Sequence, residues 1–375
     1  MVRLIDAASD MNLWVDTYER DVTDIINLQN EVARTIADVV EIRLTPREES
    51  VLAKKDRIQP DAYRTYLKGI YQFYQDTPEA DYRGIQILEE AVRQDPTSAL
   101  AHAGVAYGYA NIVHSPSPAP VEKPHLKAKQ AAEAALRHDP DLAEAHMALG
   151  MYQYMYEWDF EAAEKSFKTA IELSPSLTLA HYTLAWAYEA LGPDYEEESL
   201  AAGRRTVELS PLSPYMVGAL AWQYGDACRY DEALDLAREA IRLDPEHPMG
   251  WASLGIIDAE LGRFDEAIDA HERLEGTVFE WFIGVTYAAA GLEDRAREVA
   301  AAWEMYPLAP AWIYMVLGDR EAALHWLAKS EATRMGWYPW LLGNFMGSEN
   351  IADDPDVQAR AAALGLPDPR TTGCL

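Results

Sequence analysis

Apolar residues recur along the chain with helical spacing, in stretches broken at near-constant intervals. The segments LEEAVRQDP, AEAALRHDP, FKTAIELSP, GRRTVELSP and AREAIRLDP each close one helical stretch. Their prolines stand at 96, 140, 175, 211 and 245, which are 44, 35, 36 and 34 residues apart. Proline cannot continue a helix and biases the residue before it away from the helical region, so each dipeptide marks a helix end. Shortly afterwards a second helix begins, rich in small and aromatic residues: ALAHAGVAYGYA, AEAHMALGMYQY, LTLAHYTLAWAY, PYMVGALAWQY and PMGWASLGIIDA. Small residues let neighbouring helices approach and large ones fill the remaining space. A single pair cannot bury its apolar face alone, so the pairs must stack, which predicts an all-α solenoid.

A helix–turn–helix unit of this length closed by proline resembles the tetratricopeptide repeat. Residues 248–274 carry its pattern at Trp251, Leu254, Gly255 and Ala267, and residues 214–247 at Leu220, Ala221, Tyr224, Ala233, Ala240 and Pro245. Residues 143–177 keep Leu149, Gly150, Ala163, Phe167, Ala170 and Pro175. Residues 178–213 depart from it in their second helix, with Ser199, Gly203 and Thr206 at the small positions. The resemblance implies a superhelical solenoid, right-handed, of about seven to eight helix pairs over residues 59–335.

The ends read differently. Val2–Ala7 and Leu13–Tyr18 alternate around Ser9-Asp10-Met11-Asn12, a hairpin signal, and helices are expected over 23–43 and 46–57. Residues 1–58 resemble the closing part of the TolB-amino-terminal-like α/β domain that precedes repeat arrays in certain bacterial signalling proteins with winged-helix or adenylate-cyclase domains. They are expected to be a truncated hairpin-and-helix remnant. An exposed strand edge is a pairing template, so a homodimer through the hairpin is one alternative and folding onto helix 23–43 the other. Residues 336–375 are expected to cap the array.

Charge narrows the partners. With 32 Lys+Arg against 62 Asp+Glu the chain carries −30, which argues against nucleic acid and anionic membranes. No run of 18 apolar residues appears, and the expected location is the cytoplasm. Cys228 and Cys374 are too few for a disulfide framework, and Cys228 is expected to be a small buried hydrophobe. The sequence contains no G-x-S-x-G, H-E-x-x-H, phosphate-cradling loop or C-x-x-C, so no catalytic residue, metal or cofactor is assigned. His102, His146 and His181 share one repeat position, where Trp251 stands later. A metal or acid–base row is conceivable there, but the aromatic shape of that position favours packing.

The more informative surface is the inner face of the first helices. By register it carries Tyr107, Asn111, Met147, Met151, Tyr154, Tyr182, Trp186, Glu189, Tyr215, Trp222, Asp226, Ile256, Glu260 and Phe282. Leu149, Leu184, Leu220 and Leu254 hold positions suited to the core, leaving this set for another face. An apolar groove edged by Glu189, Asp226 and Glu260 suits a basic or amphipathic peptide or helix of a partner protein. The expected function is therefore a non-catalytic interaction scaffold. The alternatives are a groove filled by the chain's own tail, a small-molecule or active site in a closed cavity, and a regulatory arm of a signalling protein.

Overall fold

The computed structural model of the chain describes residues 2–6, 11–16, 31–32, 34–36, 59–75, 77–112, 123–342 and 346–369. From residue 59 onward these form consecutive helix pairs: α1 (Pro60–Gln72) with α2 (Pro78–Gln94), α3 (Ala99–Asn111) with α4 (Pro124–His138), α5 (Ala143–Tyr152) with α6 (Phe160–Leu173), and α7 (Thr178–Ala190) with α8 (Glu196–Leu209). They continue as α9 (Pro214–Asp226) with α10 (Tyr230–Leu243), α11 (Pro248–Glu260) with α12 (Phe264–His271), α13 (Phe282–Ala289) with α14 (Glu293–Ala302), and α15 (Leu308–Val316) with α16 (Arg320–Ala332). A short helix α17 (Tyr338–Leu341) and α18 (Pro355–Ala363) follow. Ahead of the array, β1 (Val2–Asp6) and β2 (Met11–Asp16) pair antiparallel, Val2 opposite Asp16 and Leu4 opposite Trp14. Of the helices expected over 23–43 and 46–57, residues 31–32 and 34–36 are helical and the rest lie outside the described residues. So does the proline-rich stretch 113–122.

The turn between pairs is built the same way five times. Asp95, Asp139, Ser174, Ser210 and Asp244 leave the helical region, with φ between −138° and −153°, as a residue before proline must. Their carbonyls accept from the backbone N–H of Ser98, Leu142, Leu177, Ser213 and His247. A ring then ties the turn to the next helix. His102, His146 and His181 donate Nε2–H to the carbonyls of Pro96, Pro140 and Pro175 at 2.9, 2.8 and 3.0 Å. Trp251 donates Nε1–H to the Pro245 carbonyl at 2.9 Å. The histidine row is thus a set of turn clamps, and the interchange with Trp follows because both rings carry an N–H at the same reach.

Packing within pairs rests on small residues facing large ones. A Cβ on Gly150 would lie 2.5 Å from the Phe167 ring, and one on Gly255 would lie 2.2 Å from the His271 ring. His271 is fully buried and neutral, Nδ1 accepting from Thr286 at 2.7 Å and Nε2–H donating to Ala252 O at 3.2 Å. Cys228 corrects an expectation. It is exposed, sits in the α9–α10 turn at φ +59°, and is disulfide-bonded.

The segment after α16 does more than close the last pair. It does touch that pair: Trp312 Nε1 donates to Met346 O at 3.0 Å, and Arg320 meets Asp354 at 2.8 Å. It also runs back across the array. Tyr338 stacks on Trp158 at 5.1 Å, Trp337 and Trp340 reach Trp186, and Pro367 lies where a Cβ on Gly192 would be, 2.6 Å away.

Candidate functional site

Helical spacing places Tyr182, Trp186 and Glu189 on one face of α7, and Tyr215, Ala219, Trp222 and Asp226 on one face of α9. Stacking joins these faces into one wall. The hydroxyls of Tyr182 and Tyr215 share a 2.7 Å hydrogen bond, and Trp222 Nε1–H donates to Asp226 at 3.1 Å. Tyr154, from the π-helical turn after α5, donates to Trp186 O at 3.4 Å. Trp222 meets Phe282 at 5.5 Å, so the wall continues to α13. Ile256 is buried in the same core as Met147 and Met151. Tyr107 packs edge-on to Phe73 instead.

The expectation of an open groove is corrected. Met147, Met151, Tyr154, Tyr182, Trp222, Ile256 and Phe282 are all buried, some more deeply than the leucines assigned to the core, of which Leu149 and Leu254 are only half-buried. Packing between neighbouring pairs buries most of this set, and over Trp186 and Trp222 the cover is the returning C-terminal segment. Trp337 stands edge-on to Trp186 at 6.2 Å and lies 6.4 Å from Trp222, and Trp340 stands edge-on to Trp186 at 5.8 Å. Sequence reasoning missed Trp337 and Trp340 as wall residues. Their one signal was aromatic density, Trp-Tyr-Pro-Trp, beyond the last repeat.

Behind these indoles remains a cavity of about 50 Å³, lined by Trp186, Glu189, Tyr215, Trp222, Trp337 and Trp340, with Asp81, Asn111 and residues of 278–306 completing it. The acidic edge is also not what the sequence suggested. Burial pushes the Glu189 carboxyl well above the usual range, reinforced by Asp226 beside it. Asp226 is raised by burial too, against the hydrogen bonds from Glu189 and Trp222 that favour its charge. Burial raises Glu260 in the same way, with Asp226 adding to it and Tyr230 opposing. Desolvation disfavours the ionised form, so Glu189 and Glu260 hold protons, while Asp226, raised to about 6, keeps its charge at neutral pH with the help of the Glu189 and Trp222 hydrogen bonds. The wall therefore carries less negative charge than three free carboxylates would. Among the described residues no group of three or more His, Cys, Asp or Glu is placed to hold a metal ion, and no helix is long and apolar enough to cross a membrane.

A tetratricopeptide-repeat family model matches residues 219–276, from α9 through α12. Among solved structures, the APC/C hetero-tetramer Cut9–Hcn1 aligns with TM-score 0.50 at 14% identity, over 71% of this chain and 51% of that one. A thermophilic tetratricopeptide protein of Thermus thermophilus aligns with TM-score 0.41 at 16% identity, over 57% and 98%. One curated relative, "Putative adenylate cyclase 3" of Rhizobium meliloti (strain 1021), is 28% identical over 104 residues, which is 28% of this chain and 18% of that protein. The repeated helix pairs and their proline-closed turns give this chain a tetratricopeptide-type solenoid fold, with the repeat family itself matched over α9 through α12.

Proposed function

We propose that the chain is a non-catalytic protein-interaction scaffold whose Trp186–Trp222 wall receives a short aromatic segment of a partner protein. The observation that supports this is a peptide already lying there. The chain's own residues 337–341 seat two indoles against the wall, with ring pairs at 5.8 to 6.4 Å. A partner segment of the same chemistry competes for that seat. The net charge of −30 favours basic flanks on such a segment, through faster encounter rather than tighter contact.

The test uses a fluorescent peptide, Trp-Tyr-Pro-Trp with lysine flanks, titrated into the full chain and read by anisotropy. Saturable binding is expected, weakening with salt, and lost in Trp186→Ala with Trp222→Ala while helical circular dichroism persists. Wild-type chain that takes up no peptide, or a double variant that binds equally well, sinks the reading. The relative named as an adenylate cyclase favours a second reading, a regulatory arm within a longer signalling protein. Altered cyclase output on mutating the same wall in such a protein would support it.

A further inference from the structure

We infer that the cavity behind Trp186 and Trp337 is a binding site for a compact organic cation of the trimethylammonium class, held by indole faces and the Glu189 carboxyl. Three independent features carry this. The first is the arrangement of rings. Trp337 and Trp340 lie nearly parallel, 15° apart, while Trp186 stands at 86° and 85° to them and Trp222 at 56° to Trp337. Indoles in several orientations thus bound one space, and an aromatic face attracts a cation within about 6 Å of its centroid.

The second is the sign of the lining. Asp81 and Glu189 both line the cavity, and no Lys, Arg or His does among the described residues. The third is size. About 50 Å³ is room for roughly three to five waters, which matches a methylated ammonium head better than a flat ring system. Five indoles and a phenyl ring in the lining offer N–H groups no acceptor, so beside them a methylated ammonium loses less than a primary one. Trp186, Glu189 and Tyr215, which line the cavity, remain half-buried.

Glu189 is faced by Asp226 and Gln223 of α9 and by Tyr154 of the turn after α5, with Glu260 of α11 and Tyr230 of α10 beyond Asp226, and Asp81 also lines the space. A cation bound against these groups favours the ionised carboxyl. Glu189 then gives up its proton to solvent on binding. The inference does not depend on the aromatic-segment partner.

The experiment titrates tetramethylammonium and choline into the full chain by calorimetry at about pH 6, in two buffers of different ionisation enthalpy, with 3,3-dimethylbutan-1-ol as the neutral isostere. The expected result is saturable binding of both cations, at least tenfold weaker binding of the neutral isostere, and buffer-dependent heats that report proton release. Glu189→Gln should weaken the cations at least tenfold and abolish the buffer dependence. Trp186→Leu should weaken them with the buffer dependence kept, and serves if Glu189→Gln does not fold. A peptide bearing trimethyl-lysine distinguishes the source: tighter binding than choline assigns a modified protein tail, and equal or weaker binding assigns a free small molecule. No saturable cation binding, or a neutral isostere that binds as tightly, overturns the inference.

Discussion

At the residue scale, Gly255 and His271 show how closely the repeat is tuned. Because a Cβ at 255 meets the imidazole at 2.2 Å, Gly255→Leu should lower stability by about 1–3 kcal/mol or more, the usual cost of overpacking, read as a drop in melting temperature. The turn clamps make a sharper test. His146→Leu removes a donor from Pro140 O and should cost about 1 kcal/mol, whereas His146→Trp should be tolerated, since Trp251 already fills the equivalent place. Buried titratable groups pull stability in opposite directions with pH. His271, lowered to about 4 by burial, contributes stability that is complete above the unfolded value near 6.5 and lost as pH falls toward 4. Glu189, raised by burial, contributes fully below the unfolded value near 4.3, and that contribution is lost as pH rises through its folded value. Glu189→Gln should therefore gain on wild type as pH rises from about 4.5 to about 7.5, measured by urea unfolding at each pH. A gap that stays constant would show that Glu189 is ionised in the fold.

At the element scale, the decisive piece is the short helix α17 and the indoles on either side of its start. Replacing Trp337 and Trp340 by Ala removes two buried side chains, each worth about 3–5 kcal/mol in a core. The helix pairs hold their own turns, so the variant should keep its helical circular dichroism while Trp186 and Trp222 become accessible to acrylamide quenching. Unchanged quenching would mean the wall is covered by something else. The same element shows what the sequence conveys. The five proline-closed turns and the pairing of α3 through α12 are legible because each signal lies within one repeat. The destination of Trp337 is not, since it stands 151 positions from Trp186 and periodicity speaks only of a residue's own helix. Nor can the charge state of Glu189, Asp226 and Glu260 be read from sequence, because it depends on burial that only the packed fold reveals.

At the scale of the whole molecule, an open array of stacked pairs has only neighbour contacts, and its stability is close to a sum of local terms. Here the segment after α16 joins pairs distant in sequence, from Trp158 and Gly192 to Trp312 and Arg320. A chain ending at residue 334 should melt in a broader transition, with calorimetric enthalpy exceeding the van't Hoff value, whereas the full chain should approach the all-or-none limit. An equally sharp transition in the shortened chain would show that the segment adds no coupling. The contact of Pro367 with the Gly192 turn also has a mechanical meaning. Pulled from its two ends, a bare stack of helix pairs lengthens like a spring, one pair after another. With a later segment threaded back to the middle, the stack is laced, and the pairs between α8 and α16 are bypassed for as long as the lace holds. The segment beyond α16 is a strut in parallel with half the coil, and those pairs lengthen only after its hold on the Gly192 turn and Trp158 has given way.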